Sequence, residues 1–285
     1  MYFKVSKKEF YNALSVAARA ISTFSPLPAF SGVKIEATMD CLILTGSDSD
    51  ISIQTKLKKS EHCVLEIHDM GSIVIEAKYI LEIVRKIDAD EIEFEMLDGS
   101  LTKISGNTAE FRINGMRASE YPAIDFSKPN ECFNVSEDIL KKIILQTSFA
   151  TSDKETRPVL TGVNFQCKEH QLHCVATDSY RLAKKTVEIE ESLNFNITIP
   201  AKSLQEVVKT LEGEGDVEIA VNDKKAQFII HDTIVQTRLI DGVYPETSRL
   251  IPLQFDYELT IDAHDLLNAI DRASFIKNDG VSVIK

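Results

Sequence analysis

Short alternations of apolar and polar residues, broken by helical spacings, divide this chain into elements. Residues 42–44, 51–53, 73–75, 92–96 and 111–113 alternate with period two, which predicts short strands with one buried face. Phe10, Leu14, Ala17 and Ile21 recur instead at the spacing of one helix face, as do Leu81, Val84 and Ile87. Helices are therefore predicted near 7–20 and 77–87. The same pair returns later. Ile139, Leu140, Ile143 and Ile144 mark a helix near 136–149, and Leu204, Val207, Val208 and Leu211 mark one near 201–211. Ser6 and Ser136 occupy the N-cap positions of the two leading helices, and Glu9 completes a capping-box pattern after Ser6.

This return is a repeat of sequence. Phe3-Lys4-Val5-Ser6 matches Phe133-Asn134-Val135-Ser136, and Ser47-Asp48-Ser49 matches Thr177-Asp178-Ser179, both at an offset of 130. The offset falls to 124 between Ala77-Lys78 and Ala201-Lys202, and to 123 between Tyr121-Pro122 and Tyr244-Pro245. Such drift is what loop insertions and deletions leave in a duplicated domain. A third copy opens at Leu259-Thr260-Ile261-Asp262, followed by HDLLNAIDRASF. Hairpins with two helices per repeat predict an α+β fold of antiparallel sheets with the helices on one face. The polar, Pro-bearing connectors 125–132 and 252–258 set the expected domains at 1–127, 128–253 and an incomplete 254–285.

Composition narrows the chemistry. Five cysteines at irregular spacing suit reduced thiols of a cytoplasmic protein, not a disulfide framework. No apolar run approaches the ~20 residues of a membrane span, and the start carries no secretory pattern. The net charge of −12 argues against a surface coated in nucleic acid, although it is blind to a local basic patch. Cys167, His170, His173 and Cys174 are zinc-ligand types. A turn expected at 168–171 would put both thiols on the apolar face, His173 opposite and His170 in the turn, so no metal is expected there. No phosphate-binding Gly-rich loop, dinucleotide fingerprint or nucleophile elbow is present. The acidic alternations at 91–96 and 187–192 read as solvent faces of strands, and 58–62 as a loop tip. No cofactor and no enzyme activity are expected.

Two features remain. Lys78, Glu82 and Arg85 on one helix, and Lys202, Glu206 and Lys209 on its counterpart, fall at i, i+4, i+7; Lys8, Asn12, Ser15 and Arg19 form a further stripe. They are either solvated faces with local ion pairs or rows of basic groups that track a phosphate backbone. The second feature is Thr177-Asp178-Ser179-Tyr180-Arg181-Leu182, opposite Ser47-Asp48-Ser49-Asp50-Ile51-Ser52. The shared Ser/Thr-Asp pair suits a turn held by side-chain bonds to the backbone. Tyr180, Arg181 and Leu182 belong to the second copy alone, as does the Arg-Leu-Ile trio in 244–252.

The stretches GSDSDISI (46–53), GSIVIEAKYILEIVRKI (71–87), EYP (120–122), ETRPVLTGVNF (155–165), ATDSYRLA (176–183), DGVYPETSRLIP (241–252) and LLNAIDRAS (266–274) resemble the bacterial sliding clamps, the β subunits of DNA polymerase III. The resemblance runs along essentially the whole chain. It implies three similar domains per protomer and a head-to-tail homodimer ring around duplex DNA, with helices lining the hole. It implies a processivity factor that tethers the polymerase α subunit, the clamp loader and other proteins with a clamp-binding motif. By the same resemblance Lys78, Arg85, Lys202 and Lys209 would face DNA, and Lys154 would lie in a loop that approaches it. Leu160, Thr177, Ser179, Tyr180, Arg181, Leu182, Pro245, Arg249 and Leu250 would form a peptide groove between the second and third domains. Phe24 stands where a basic DNA-contacting residue would be sought, which weakens that reading of its loop. A chain that stops at Lys285, early in its third repeat, is expected to be a clamp fragment whose last piece is too short to bury a core of its own. The competing class is a stand-alone peptide-binding module.

Overall fold

The computed structural model describes residues 1–22, 27–252 and 254–274. The first repeat runs β1 (Tyr2–Ser6), α1 (Lys7–Ala18), β2 (Gly32–Ala37), β3 (Cys41–Ser47), β4 (Ile51–Lys58), β5 (Leu65–Asp69), β6 (Gly71–Glu76), α2 (Ala77–Lys86), β7 (Glu91–Asp98), β8 (Leu101–Gly106), β9 (Ala109–Asn114) and β10 (Met116–Arg117). The second runs β11 (Glu131–Ser136), α3 (Glu137–Thr147), β12 (Gly162–Thr177), β13 (Leu182–Pro200), α4 (Ala201–Thr210), β14 (Asp216–Val221), β15 (Lys225–Ile230) and β16 (Thr233–Arg238). Then comes α5 (Ala263–Ser274). Contacts divide the chain into two units, Met1–Tyr244 and Pro245–Lys285.

Among the described residues one sheet of five strands has the order β5-β1-β7-β8-β9, and one of nine has the order β10-β6-β2-β3-β4-β16-β15-β14-β11. The nine-stranded sheet crosses the repeat boundary. β4 pairs antiparallel with β16 in the register Ile51↔Thr237, Ile53↔Val235 and Thr55↔Thr233. Both repeats therefore share main-chain hydrogen bonds, and the first unit holds them together.

Alternation decides which residues fill the cores. Phe3 and Val5 of β1 are fully buried, with Ile92 and Phe94 opposite them on β7. Phe3 stacks on Phe94 at 4.7 Å, and Phe10 of α1 meets both edge-on. α1 sits very close to β3: a Cβ on Gly46 would come within 2.1 Å of the Ala17 carbonyl oxygen, so glycine is needed at that point. On α2 the buried residues are Ala77, Ile80 and Val84, and Ile87 just beyond the helix is buried too; Leu81, expected inside, is only partly covered.

Two local expectations change. Ser6 does not cap α1; its hydroxyl accepts from the Val64 amide at 2.8 Å and fastens the loop that leads into β5, whereas Ser136 does accept from the Ile139 amide at 3.3 Å. The turn expected at 168–171 is present, and Glu169 takes a positive φ of 57° there. Residues 162–169 before it pair with 193–200, residues 171–177 after it pair with 182–188, and Cys167 and Cys174 on its two sides share one core. In the second unit α5 forms as expected, with Asp262 Oδ1 accepting from the amides of His264 (2.9 Å) and Asp265 (3.1 Å). Residues 259–262 are not a strand, since no partner strand is present for them among the described residues.

Candidate docking and nucleic-acid surfaces

The two basic helices take the same local form. Lys78 and Arg85 are exposed on α2, as are Lys202 and Lys209 on α4. Each helix also carries a compensating acid. Arg85 Nη2 lies 2.8 Å from Glu82 Oε2, and Lys209 Nζ lies 2.7 Å from Glu206 Oε1. The hydrogen bond from Arg85 is the main reason the Glu82 carboxyl titrates below its ordinary range. Exposed pairs of this kind form and break easily, so they do not withhold the cations from another anion. Lys78 Nζ lies 5.1 Å from the centroid of the Tyr79 ring. Lys154 is exposed in the loop after α3, where its amide donates to Ser152 Oγ at 3.1 Å. Phe24 lies outside the described residues.

Arg19 leaves the expected stripe. Its Nη1 donates to the Lys209 carbonyl at 2.5 Å, with Thr210 Oγ1 at 3.5 Å, at the C-terminal end of α4. A cation suits the negative end of a helix and satisfies a carbonyl that the helix itself leaves free. Arg19 therefore ties one repeat to the other. The signal for this was available only as a basic residue at the far end of the stripe that begins at Lys8.

The Ser/Thr-Asp motifs build the same turn twice. Asp178 Oδ1 accepts from the amides of Tyr180 and Arg181, both at 2.9 Å; Asp48 Oδ1 accepts from Asp50 at 3.0 Å and Ile51 at 2.9 Å. Thr177 Oγ1 donates to the Arg181 carbonyl at 2.7 Å, as Ser47 Oγ does to Ile51 at 3.0 Å. Ser179 and Ser49 take positive φ values of 78° and 87°. The amides of Arg181 and Tyr180 hold the Asp178 carboxyl below its usual range, with the Arg181 charge adding to them.

On this turn the copies diverge. Tyr180 is 98% exposed, a large aromatic ring held out in solvent by a rigid backbone. Arg181 is held from two sides: its Nε is 3.0 Å from Asp178 Oδ2, and its guanidinium carbon is 5.9 Å from the centroid of the Phe149 ring. Beneath them Leu160, Val175 and Tyr244 form a small buried cluster, with Leu182 and Val159 packed against it. The Tyr244 hydroxyl accepts from the Thr177 amide at 3.0 Å, and burial pushes its pKa up. The first unit thus brings Leu160, Thr177, Ser179, Tyr180, Arg181 and Leu182 to one place. Pro245 and Leu250 are exposed in the second unit, and the side chain of Arg249 lies outside the described residues. The sequence did not single out Phe149 or Tyr244; the matching Tyr-Pro pairs at 121–122 and 244–245 were the available hint for Tyr244.

Cys167 and Cys174 are buried, and burial raises both thiol pKa values. The imidazoles have partners elsewhere: His170 Nδ1 with the Glu190 carbonyl at 3.1 Å, and His173 Nδ1 with Thr186 Oγ1 at 3.0 Å.

A duplicated α+β unit with one sheet running through both copies, and with no spanning helix among the described residues, defines a clamp-type fold. Comparison with known proteins specifies it. The model of the DNA polymerase III beta subunit N-terminal domain matches residues 1–125, and that of the central domain matches 134–246. The beta sliding clamp of Bacillus subtilis is 38% identical over 285 residues, covering 98% of this chain and 75% of that protein. A crystal structure of the Bacillus subtilis clamp superposes with a TM-score of 0.95 at 36% identity, over 99% of this chain and 75% of the other. A Bartonella birtlesii clamp bound to griselimycin gives 0.91 at 28% identity, over 99% and 76%. The chain belongs to the beta sliding clamp family. It is a processivity factor of the replicative DNA polymerase and not an enzyme.

Proposed function

We propose that the chain contributes to a ring around duplex DNA and binds its partners through the surface around Tyr180. The carrying observation is that exposed basic residues recur at corresponding positions of both second helices, Lys78 and Arg85 on α2 and Lys202 and Lys209 on α4. Contacts of this type bind phosphates and do not read sequence, as a sliding protein requires. Lys154 joins them from its loop. The binding surface takes Leu160 as floor and Tyr180, Arg181 and Leu182 as wall, with Thr177 and Ser179 shaping the turn beneath. Pro245, Arg249 and Leu250 are assigned to it by the resemblance alone. An apolar floor with a few directed polar groups suits a short linear motif from the polymerase α subunit, the clamp loader or another clamp-binding protein. The Bartonella clamp bound to griselimycin supports a ligand groove in this fold.

Domains at 1–127, 128–253 and from 254 onward fit this reading, in the cytoplasm and with no metal or cofactor. Ring closure follows from the joint. β16 of the second repeat pairs with β4 of the first; the counterpart of β16 in the first repeat is β9, at the edge of its sheet. A β4-type strand from a second protomer would extend that edge in a head-to-tail homodimer.

The test is processive synthesis on primed circular DNA with the complete gene product. Changing Lys202→Glu and Lys209→Glu together should cut loading and flatten its salt dependence, by a slope of roughly two, while motif-peptide binding survives. Loss of peptide binding with loading intact would reverse the assignment of the two faces.

A further inference from the structure

The repeat supplies a second copy of the groove positions, and the structure holds a cleft there. A cavity of about 580 Å³ opens within the first unit, where the first repeat meets the second. Phe30, Ser47, Ser49, Asp50, Ser52 and Pro122 line it. These are the sequence counterparts of Leu160, Thr177, Ser179, Tyr180, Leu182 and Pro245. The other wall comes from the second repeat, chiefly Lys224, Gln236, Arg238, Leu239 and Asp241.

We propose that this cleft is a second peptide-docking groove, which takes a short extended segment of a partner protein. The kind of occupant rests on the peptide-groove reading above; the cleft itself does not. Its size falls within the range of roughly 300–1,000 Å³ typical of ligand pockets. Its chemistry selects among ligands. Exposed Leu27, with Ile124 and Leu239 half-buried, offers apolar contact for one or two side chains. Round them stand groups of both signs: Lys224 and Arg238, and Asp50 and Asp241, all exposed. Asp125 stays ionised, its pKa drawn down to about 2 by the Ser127 hydroxyl and amide and by Lys225. A peptide main chain offers donors and acceptors alike and is complementary to such a mixed rim. A nucleic-acid backbone offers acceptors only and would meet the three carboxylates.

The floor is also firm enough for recognition. Ser47 and Ser52 bond to each other at 2.8 Å, Arg238 donates its amide to the Asp50 carbonyl at 2.9 Å, and Lys225 Nζ holds the Asp125 carbonyl at 2.8 Å. Pre-formed walls of this kind reduce the ordering that binding requires. Where the second-repeat surface has Tyr180 and Leu182, this cleft has Asp50 and Ser52. It should therefore accept more polar, and more basic, segments than its counterpart does.

The experiment uses a phage-displayed library of random linear heptapeptides, panned on the whole chain. Selected sequences are made as fluorescent peptides and titrated by anisotropy. Ala123→Trp fills the cleft from an exposed position, and Lys224→Glu with Arg238→Glu inverts its cations. Tyr180→Ala alters only the second-repeat surface. At least one peptide class should weaken tenfold or more with Ala123→Trp, respond to the double charge change and ignore Tyr180→Ala. If every selected peptide responds to Tyr180→Ala and none to Ala123→Trp, the second groove is refuted and the first reading stands. If no peptide binds either site, both readings fail together. Binding of a DNA oligonucleotide that Ala123→Trp abolishes would also overturn the proposal.

Discussion

The face by which the first repeat meets the second, and the same face of the second repeat, are built on corresponding residues and used differently. On the first, Ala20, Ile51 and Ile53 are buried in the core of the second repeat, with Val16 packed beside them. β4 pairs with β16, and Arg19 fastens the end of α4. The counterparts on the second repeat are Gln146 for Val16, Ala150 for Ala20, Arg181 for Ile51 and Ala183 for Ile53. Phe149 takes the place of Arg19. Apolar bulk is reduced, a guanidinium replaces an isoleucine, and β13 has β12 as its single partner among the described residues. One backbone frame therefore serves as a joint in one copy and, on the function proposed above, as a recognition surface in the next, with different side chains and different strand pairing.

The sharpest way to break this comparison is to make the first face resemble the second. Ile53 is fully buried, whereas its counterpart is already alanine. Ile53→Ala should lower unfolding stability by about 2–5 kcal/mol, the usual cost of such a cavity in a packed core. Urea denaturation followed on each repeat separately should show that the second repeat loses stability although the substitution lies in the first. A loss confined to the first repeat would mean that the joint is not part of the second core.

Next is the tyrosine beneath each turn. The Tyr244 hydroxyl accepts from the buried Thr177 amide at 3.0 Å; Tyr121 reaches the Thr45 carbonyl at 3.5 Å, the limit of a hydrogen bond. Tyr244→Phe strands a buried N–H and should cost about 1–3 kcal/mol. Tyr121→Phe should cost less than about 0.5 kcal/mol. Equal effects in thermal melts would show that the two copies do not differ at this point.

These contrasts also mark what could be read from the chain. Period-two alternation and helix faces located the helices and the strands they named, because burial on one face writes itself into sequence. The Ser/Thr-Asp turn was legible because its hydrogen bonds are local, within five residues. The β4–β16 pairing was not, since strand partners at a separation near 180 residues leave no mark on either strand's alternation. Arg19 was misplaced for the same reason: its partner is a carbonyl of a distant helix end, and carbonyls have no sequence signature. Ser6 shows a subtler limit. A serine at an N-cap position looks the same whether it caps its own helix or, as here, fastens Val64.

Arg19→Ala and Phe149→Ala test one position in both copies. Removing Arg19 leaves the Lys209 carbonyl to solvent and should cost about 1 kcal/mol of unfolding stability. Phe149 is 58% exposed, so Phe149→Ala should leave stability within about 0.5 kcal/mol. Its effect should fall on peptide binding, through the looser Arg181 beside it. A stability loss at Phe149 as large as that at Arg19 would assign both positions to the joint.

The smallest effect expected is a titration. Asp178 is bound by two amides and by Arg181, which lower its folded pKa. A depressed folded value means that the turn is favoured fully above the unfolded carboxylate pKa of about 3.9 and loses that support as pH falls through the folded value. Amide resonances of Tyr180 and Arg181 should therefore hold their native positions from neutral pH to about 4 and move only below it. Asp178→Asn should remove that movement, because an amide oxygen still accepts both bonds and does not titrate. Arg181→Gln separates the two causes. If the backbone amides dominate, the midpoint should shift up only slightly and remain below the ordinary range. A midpoint that returns to the ordinary carboxylate range would place the charge of Arg181 first. The turn would then be held by the very side chain assigned to the partner, and a docking partner that drew Arg181 away would loosen the backbone beneath Tyr180.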